Sequence, residues 1–153
     1  MSQINNNERS PVMLVLQGPP ASGKTTWSKQ FCEDNPNWIR INRDDIRKMS
    51  GKYWVPSRES LISAYEESLI NIALNRKYNV IIDATNLNPE TMSRWRGIAA
   101  NFNAKLETKE FYIPFKEAVK RDKNRDLQIG EDVILGFYRR YYPERLKQEL
   151  DEL

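Results

Sequence analysis

Residues 18–25 read Gly-Pro-Pro-Ala-Ser-Gly-Lys-Thr, and they follow an apolar run at residues 12–16 that has the composition of a buried strand. The residues after Lys24 have the composition of a helix. Glycines at positions 18 and 23 allow the backbone N–H groups to turn inward, and the start of the helix adds the positive end of its dipole. A Gly-x-x-x-x-Gly-Lys-Thr pattern between a strand and a helix is typical of a phosphate-binding loop. The stretch therefore predicts binding of a nucleoside triphosphate.

The residues of this loop suggest separate tasks. Lys24 is placed to reach the β- and γ-phosphates of ATP, and the hydroxyl of Thr25 is a suitable ligand for Mg²⁺. ATP is therefore the expected donor and Mg²⁺ the expected cofactor. The predicted ATP-binding residues are Gly18, Ala21, Ser22, Gly23, Lys24, Thr25, Thr26, Arg121 and Arg125.

Composition limits the class of protein. Hydrophobic residues make up 39% of the 153 positions and charged residues 29%, which is typical of one folded domain. No apolar run is long enough to span a bilayer, so no membrane partner is expected. The one cysteine, Cys32, has no internal disulfide partner, which favours a cytoplasmic location and a core position for this residue. The sequence contains no histidine, so a general base has to be a carboxylate, a lysine or a tyrosine.

Strands and helices alternate along the chain. Strands are predicted at Val12–Gln17, Trp38–Ile41, 80–82 and 105–113, and the last is charged enough for an edge strand. The alternation predicts an α/β fold of three layers, with a parallel sheet of about four strands flanked by helices. Ligands of such sheets bind beyond the carboxyl ends of the strands, so three turns are expected to meet at one site. These turns are residues 18–25, 43–44 and 83–86.

Two longer helices show a repeated apolar spacing. The first is predicted to follow a cap at Ser57, and the second to follow Asn88 with a proline at its first position. The apolar positions are Leu61, Tyr65, Leu69 and Ile72 in the first helix and Met92, Trp95, Ala99 and Phe102 in the second.

A carboxylate and an arginine lie three residues apart at the start of a short predicted helix, Asp44 and Arg47, so they share a face. This pair suits phosphoryl transfer to an alcohol, because the carboxylate can take the proton of the acceptor hydroxyl while the arginine binds an acceptor anion. The alternative is that Asp44 or Asp45 caps the helix and pairs with Arg47 at the surface. These patterns favour neither interpretation.

Asp83 follows a wholly apolar strand, at the place where an acidic residue close to a bound metal ion is expected. An ordinary turn role for this aspartate is less favoured. Asn86, three residues later, either binds substrate or stabilises the turn, and both interpretations stay open.

Residues 115–125 predict a basic helix, followed by a polar link to Gly130. Arg121 and Arg125 are four apart and share a face of this helix. A lid near residues 115–131 that clamps phosphates is favoured over a solvated charged surface, because the chain already carries a triphosphate-binding loop. Residues 1–10 are expected to be a frayed tail, and residues 11–153 a single domain without internal repeats.

Basic and aromatic residues are interleaved after the second strand. Cations between exposed rings suit a channel for a single nucleic-acid strand. Packing of Tyr53 and Trp54 on the core beneath the long helix is equally favoured. The residues concerned are Arg40, Arg43, Arg47, Lys48, Lys52, Tyr53, Trp54 and Arg58.

Four blocks of sequence, taken in order, resemble a known family. They are residues 18–27, Ile-Asn-Arg-Asp-Asp-Ile-Arg at 41–47, Thr-Asn-Leu-Asn-Pro-Glu at 85–90, and Val-Lys-Arg at 119–121 with Arg125. Together they look like the kinase domain of phage polynucleotide 5′-hydroxyl kinases, over about residues 13–142. The second and third blocks are far more specific than the phosphate-binding loop, which many unrelated kinases share.

The resemblance implies a P-loop kinase fold, ATP as phosphate donor and the 5′-hydroxyl ends of DNA or RNA as acceptor. It implies that Asp44 is the general base and that Arg125 is a lid arginine on the donor phosphates, so the expected catalytic residues are Lys24, Asp44 and Arg125. Arg47 would hold the phosphate on the 3′ side of the terminal nucleotide. The expected acceptor-binding residues are Arg43, Asp44, Arg47, Thr85 and Asn86.

The chain departs from the best-known phage enzyme at two points. Ala84 occupies the position of the acid before Thr-Asn, and the acid lies one residue earlier at Asp83. Since a shift of one residue reverses the face of a strand, the metal role expected for Thr25 and Asp83, directly or through water, is in doubt for Asp83. Broader relatives with Asp-x-Thr-Asn have the same arrangement. The phosphatase domain of that enzyme, with its Asp-x-Asp motif, has no counterpart here, so no 3′-phosphatase activity is expected.

These features predict a polynucleotide 5′-hydroxyl kinase of nucleic-acid repair in the cytoplasm, which for a phage protein is the host cytoplasm. One alternative is a P-loop kinase for the hydroxyl of a nucleoside, sugar or antibiotic. A less favoured alternative is a nucleotide-dependent switch or binding module. A homo-oligomer stays open, because the aromatic segment at residues 137–142 suits an interface as well as a core-facing helix.

Overall fold

Four parallel strands form a sheet in the computed structural model, which describes residues 10–151. From one edge to the other the strands are Trp38–Ile41, Asn79–Ile82, Val12–Gln17 and Lys105–Glu110, so the last of these lies at an edge, as its charged composition predicted. The α/β fold with a small parallel sheet is confirmed. The tail predicted at residues 1–10 lies, apart from Ser10, outside the described residues. The strands are β1 (Val12–Gln17), β2 (Trp38–Ile41), β3 (Asn79–Ile82) and β4 (Lys105–Glu110).

Seven α-helices and one 3₁₀ turn, Pro56–Arg58, surround this sheet within residues 10–151. No helix of this range is both long and apolar enough to cross a membrane. The helices are α1 (Lys24–Asp34), α2 (Arg43–Met49), α3 (Glu59–Asn75), α4 (Pro89–Asn101), α5 (Phe115–Lys123), α6 (Glu131–Tyr141) and α7 (Pro143–Asp151).

Alternation along β1 divides the core into two layers, because successive side chains of a strand point to opposite faces. Met13 and Val15 pack with the buried residues of α3 and α4. Leu14 and Leu16 pack on the other face, against the aromatic side chains of α1. Cys32 is part of this second layer and is half-buried, and burial raises the pKa of its thiol.

The long helix α3 buries a different face from the one that the apolar spacing predicted. The predicted side chains, at positions 61, 65, 69 and 72, are all exposed. Their neighbours Ile62, Ile70 and Leu74 are the buried ones, together with Glu66. The helix carries apolar residues on both faces, so the spacing shows that it is a helix without showing which face meets the sheet.

Three predicted boundaries are wrong by a few residues. Ser57 does not cap α3, because it lies inside the 3₁₀ turn that precedes the helix. β4 ends at Glu110, since its partner β1 ends opposite that residue at Gln17. α5 ends at Lys123, so Arg125 lies just beyond the helix instead of inside it.

The last two helices form a separate cluster with α5, in which Tyr138 and Tyr142 are buried. The hydroxyl of Tyr138 donates to the carbonyl oxygen of Ile113 at 2.7 Å. Glu149 of α7 accepts hydrogen bonds from the first backbone N–H groups of α5, at 2.7 and 3.0 Å. The aromatic segment at residues 137–142 is therefore core-facing in this structure, and α7 holds the start of α5.

A buried asparagine joins β1, β3 and α4. The Asn86 side chain donates to the carbonyl oxygens of Leu16 at 2.7 Å and Ile82 at 3.1 Å, and it accepts from the indole N–H of Trp95 at 3.0 Å. Asn86 has a φ of +49°, a left-handed conformation that asparagine tolerates better than most residues.

We expect Asn86→Ala to lower the free energy of unfolding by roughly 2–4 kcal/mol, because it leaves buried carbonyl and indole groups without partners. Urea denaturation followed by circular dichroism measures this loss. The control is Asn101→Ala, at an exposed position on α4. Equal effects of the two substitutions would contradict the structural role of Asn86.

Candidate active site

The phosphate-binding loop connects the carboxyl end of β1 to the first turn of α1. Gly18 has a φ of +150°, and its N–H donates to the carbonyl oxygen of Thr85 at 3.1 Å. A Cβ atom at position 18 would overlap the carbonyl oxygen of Phe111, so only glycine fits there. Gly23 and Ala21 are left-handed, with φ of +96° and +63°. This curvature and the open N–H groups of the helix start suit an anion.

Lys24 is buried, with 7% of its surface exposed. Its ammonium donates to the carbonyl oxygens of Gly18 at 3.0 Å and Pro19 at 2.6 Å, and to the hydroxyl of Ser22 at 3.1 Å. Burial lowers the pKa of Lys24 to about 8, with nearby Arg125 acting in the same direction and Asp83 opposing it. The loop thus holds a lysine whose contacts are exchangeable for phosphate oxygens.

Asp83 lies beside Thr25, although it is shifted by one residue from the position of the acid in the phage enzyme. The Thr25 hydroxyl donates to Oδ2 of Asp83 at 2.8 Å, and Asp83 is only 2% exposed. Ile81 faces α1, and alternation along the chain brings Asp83 to that same side of the sheet. Since Thr25 is in the first turn of α1, the acid and the hydroxyl meet there.

Thr25 and Asp83 fit a magnesium ion by the chemistry of their donor atoms. They offer a hydroxyl and a carboxylate oxygen, and Mg²⁺ typically takes one or two such protein ligands with the rest from water and phosphate. Residues 10–151 contain no cluster of three or more acidic, histidine or cysteine side chains that would hold a metal ion by themselves.

Two further residues that sequence reasoning did not assign to this site bind Asp83. Arg40 donates from Nε to Oδ2 of Asp83 at 2.8 Å and from Nη1 to Asp45 at 2.6 Å. The amide of Asn42 donates to the backbone carbonyl of Asp83 at 2.9 Å. An arginine between two isoleucines of a predicted strand, as at position 40, is a signal that could have indicated such a role.

Asp44 occupies the first turn of α2, and its side chain is 48% exposed. Its Oδ1 accepts hydrogen bonds from Arg47 at 2.6 Å and from the hydroxyl of Tyr53 at 2.7 Å. Its Oδ2 accepts none from the residues that the structure describes. The helix cap is Asn42, whose side chain accepts from the N–H of Asp45 at 2.9 Å, so neither aspartate serves as the cap.

The guanidinium of Arg47 is held from two sides. Glu59 accepts two bonds, from Nη2 at 2.6 Å and from Nε at 3.1 Å, in addition to the bond from Nη1 to Asp44. Glu59 raises the pKa of Arg47, and Arg47 in turn lowers the pKa of Glu59. An arginine has five N–H donors, so one hydrogen on each terminal nitrogen is left without an acceptor among the described residues. Two such donors suit an oxyanion.

Arg43 also lies at the cleft, but its charge is paired. It donates to Oε1 of the buried Glu66 at 3.3 Å and to the backbone carbonyl of Glu59 at 3.1 Å. Glu66 accepts a second bond, from Arg94 at 3.2 Å. This network ties the start of α2 to α3 and α4.

The side of the cleft formed by α5 and the turn after it contributes two arginines. Arg121 donates to the carbonyl oxygen of Ala21 at 3.2 Å, so α5 contacts the phosphate-binding loop directly. Asp122, buried, accepts from the N–H groups of Ile129 at 2.8 Å and Gly130 at 2.9 Å. These bonds shape the turn that follows α5, which carries Arg125.

The phosphate-binding loop, the starts of α1 and α2, the turn after β3 and the α5 side line one cleft of about 600 Å³. Two predicted site residues do not line it: Gly18, which shapes the loop, and Asn86, whose amide is taken by buried protein groups. The predicted residues that the structure brings together there are Ala21, Ser22, Gly23, Lys24, Thr25, Thr26, Arg43, Asp44, Arg47, Asp83, Thr85, Arg121 and Arg125.

A phosphate-binding loop between the first strand and first helix of a parallel sheet, with an acid beside its threonine, defines the class of P-loop proteins. A family model described as an AAA domain matches residues 13–143, and the chain belongs to this family of P-loop kinases.

Individual relatives are kinases or parts of RNA repair assemblies. The chain is 31% identical over 134 residues to L-seryl-tRNA(Sec) kinase of Methanococcus maripaludis, a match that covers 85% of this chain and 52% of that one. It is 25% identical to a provisionally named bifunctional polynucleotide kinase/RNA ligase of Autographa californica nuclear polyhedrosis virus, covering 91% of this chain and 23% of that one.

A solved structure of the Pnkp1/Rnl/Hen1 RNA repair complex has a chain that superposes with a TM-score of 0.76 at 29% identity. The match covers 99% of this chain and 49% of that one. The chain therefore spans about half the length of two of these similar proteins and about a quarter of the viral one. The resemblance to polynucleotide kinases is confirmed.

We expect the stability of the wild-type protein to rise, relative to a Lys24→Met variant, as the pH increases from about 8 to 10.5. The protonated lysine is penalised by burial in the folded state only, and this penalty disappears once both states are neutral. The difference in free energy of unfolding should change by up to about 3 kcal/mol. Urea denaturation without nucleotide at several pH values measures it.

Lys29→Met, which removes an exposed lysine from the same helix, is the control for loss of charge. A stability difference between wild type and Lys24→Met that is constant across this pH range would contradict the lowered pKa of Lys24.

Proposed function

We propose that the protein is an ATP- and Mg²⁺-dependent kinase that phosphorylates the 5′-hydroxyl ends of DNA or RNA in nucleic-acid repair. The observation that carries the proposal is the single cleft with a donor side and an acceptor side. Lys24, Thr25 and Arg125 line the donor side, and Asp44 and Arg47 line the acceptor side.

On the donor side, the loop N–H groups and Lys24 bind the phosphates of ATP, with Lys24 exchanging its loop carbonyls for phosphate oxygens. Thr25 and Asp83 would hold Mg²⁺, which supplies positive charge to the β- and γ-phosphates when bound. Arg121 and Arg125 add positive charge from the lid, where it offsets charge on the transferring group.

On the acceptor side, Oδ2 of Asp44 is the open carboxylate oxygen and receives the 5′-hydroxyl. The acceptor oxygen attacks the γ-phosphorus while the bond from that phosphorus to the β-γ bridging oxygen breaks. ADP leaves, and the hydroxyl proton passes to Asp44. The two open N–H groups of Arg47 bind the phosphate on the 3′ side of the terminal nucleotide.

The similar proteins support a nucleic-acid acceptor. The viral relative is named as a polynucleotide kinase, and the superposed structure is named as an RNA repair complex. Because the chain spans only part of each protein, the proposal concerns the kinase activity of this domain and carries over no further activity.

Transfer of labelled γ-phosphate to a 5′-hydroxyl oligonucleotide tests the proposal directly. We expect transfer that requires Mg²⁺, and a much lower kcat/KM for a nucleoside without a 3′-phosphate than for a nucleoside 3′-phosphate, since only the latter engages Arg47. Absence of transfer to every 5′-hydroxyl end would overturn it.

An Asp44→Asn variant should lose about 100-fold or more in kcat while it still binds ATP, because the amide cannot take the proton. Labelled phosphate transfer measures the loss, and fluorescent nucleotide binding measures the retained affinity. Asp45→Asn changes the neighbouring carboxylate, which does not line the cleft, and should keep most of the activity. Full activity of Asp44→Asn would remove Asp44 from the role of base.

A second candidate is a kinase for another hydroxyl, and the similarity to L-seryl-tRNA(Sec) kinase favours it. The same cleft would serve, with Asp44 receiving a different alcohol. Equal use of acceptors with and without the 3′-phosphate, or efficient transfer to seryl-tRNA in place of 5′-hydroxyl ends, would favour this function.

A further inference from the structure

Trp54 stands apart from the other tryptophans of the chain. Its side chain is 54% exposed, whereas Trp95 is buried and Trp27 and Trp38 are partly packed against the sheet. It lies between α2 and the 3₁₀ turn, next to residues of the acceptor side of the cleft. Its ring centroid is 5.6 Å from the guanidinium carbon of Arg47.

Tyr53 and Trp54 separate the two interpretations that the sequence left open. Tyr53 turns inward, and its hydroxyl is bound to Asp44. Burial and this bond to Asp44 raise the pKa of Tyr53. Trp54 turns outward, and more than half of its surface is exposed to solvent. The adjacent rings therefore serve different purposes, one holding the carboxylate and the other presenting a surface.

The segment that carries Trp54 is held in place. Arg58 donates to the carbonyl oxygen of Ser50 at 2.9 Å. The N–H of Ser50 donates to the backbone carbonyl oxygen of Arg47 at 3.1 Å. Gly51, left-handed with a φ of +87°, closes the turn. The ring is therefore presented by an ordered segment, which reduces the entropy lost when a ligand stacks on it.

We propose that Trp54 is a stacking platform for a base of the acceptor, belonging to one of the two nucleotides that flank the phosphate at Arg47. This inference rests on the proposed function and names a recognition site within it. The open N–H groups of Arg47 and the open ring of Trp54 are adjacent, and a nucleotide presents a phosphate and a flat base in the same way.

The surrounding charge fits a polynucleotide strand. Lys48 near the end of α2 and Lys52 in the turn that follows are exposed, and Nζ of Lys48 lies 4.0 Å from Asp45. Lys52 and the outer side of Lys48 can attract further phosphates of the strand. Every base has a π-face, so stacking on an indole ring selects for the presence of a base and not for its identity. Trp54 accordingly favours polynucleotide acceptors over acceptors that carry a phosphate alone.

The test compares wild type with Trp54→Ala and Trp54→Phe on three 5′-hydroxyl oligonucleotides. One has all its bases, and the others are abasic at the first or the second nucleotide. We expect Trp54→Ala to raise KM for the intact acceptor about tenfold, with kcat nearly unchanged, because base stacking on an aromatic ring is worth about that much. Trp54→Phe should recover most of the loss.

The abasic acceptors separate stacking from a structural role. When the base is removed from the stacked nucleotide, the KM of the wild type should rise by the same factor of about ten. The KM of Trp54→Ala should then be no higher than it is with the intact acceptor. If Trp54→Ala raised KM about tenfold over wild type with both abasic acceptors as well, the effect would not depend on a base, and the proposal would be overturned. A fall in kcat instead of a rise in KM would also overturn it, since Trp54 would then act only by orienting Arg47.

Binding of a 3′-labelled oligonucleotide without ATP, followed by fluorescence anisotropy, separates this inference from the proposed function. Weaker binding by Trp54→Ala supports stacking even where no phosphate is transferred. Normal phosphorylation and binding by Trp54→Ala would leave the kinase standing and end the stacking proposal. The control is Tyr65→Ala, which removes an exposed ring from α3 and should change neither measurement.

Discussion

The carboxylate of Asp83 is the point on which the site depends, because several elements converge on one of its oxygens. The Thr25 hydroxyl from α1 and the Arg40 guanidinium from β2 both lie 2.8 Å from Oδ2. The amide of Asn42 binds the carbonyl of the same residue. The carboxylate is only 2% exposed, so it has lost most of its hydration. An ionised group in that position is stable only when hydrogen-bond donors replace the lost water, as Thr25 and Arg40 do here. Through Asp83 the phosphate-binding loop and the start of α2 are held at fixed positions.

The charges of Arg43 and Arg47 are paired with acidic residues of the protein itself. Arg47 lies between Asp44 and Glu59, and Arg43 lies between Glu59 and Glu66. Pairing of this kind fixes the orientation of the guanidinium groups. It also uses some of their N–H donors, so fewer donors are left to bind a ligand anion. The open oxygen of Asp44 and the open donors of Arg47 remain, and the proposed function assigns them to an alcohol and to its neighbouring anion.

Local patterns predicted most of the elements. The strand–loop–helix around Gly18, the N-terminal proline of α4 and the short helix at residues 43–49 were correct, because each depends on contacts within a few residues. The buried face of α3 was wrong, since apolar residues occupy both of its faces and only packing on the sheet selects one. Asn86, expected at the acceptor, is instead a buried link between β1, β3 and α4, because the packing of these elements surrounds its amide with protein groups.

By itself, the sequence determined the phosphate-binding loop, the parallel α/β class and the shared helix face of Asp44 and Arg47, because these follow from backbone geometry and short spacings. Only the tertiary structure decided that Asp83 meets Thr25, that Arg40 joins them, and that Trp54 stays open while Tyr53 turns inward. These contacts join residues from different strands and helices. Which side chains meet in such contacts depends on how the sheet twists and how the helices pack, and no local pattern encodes that.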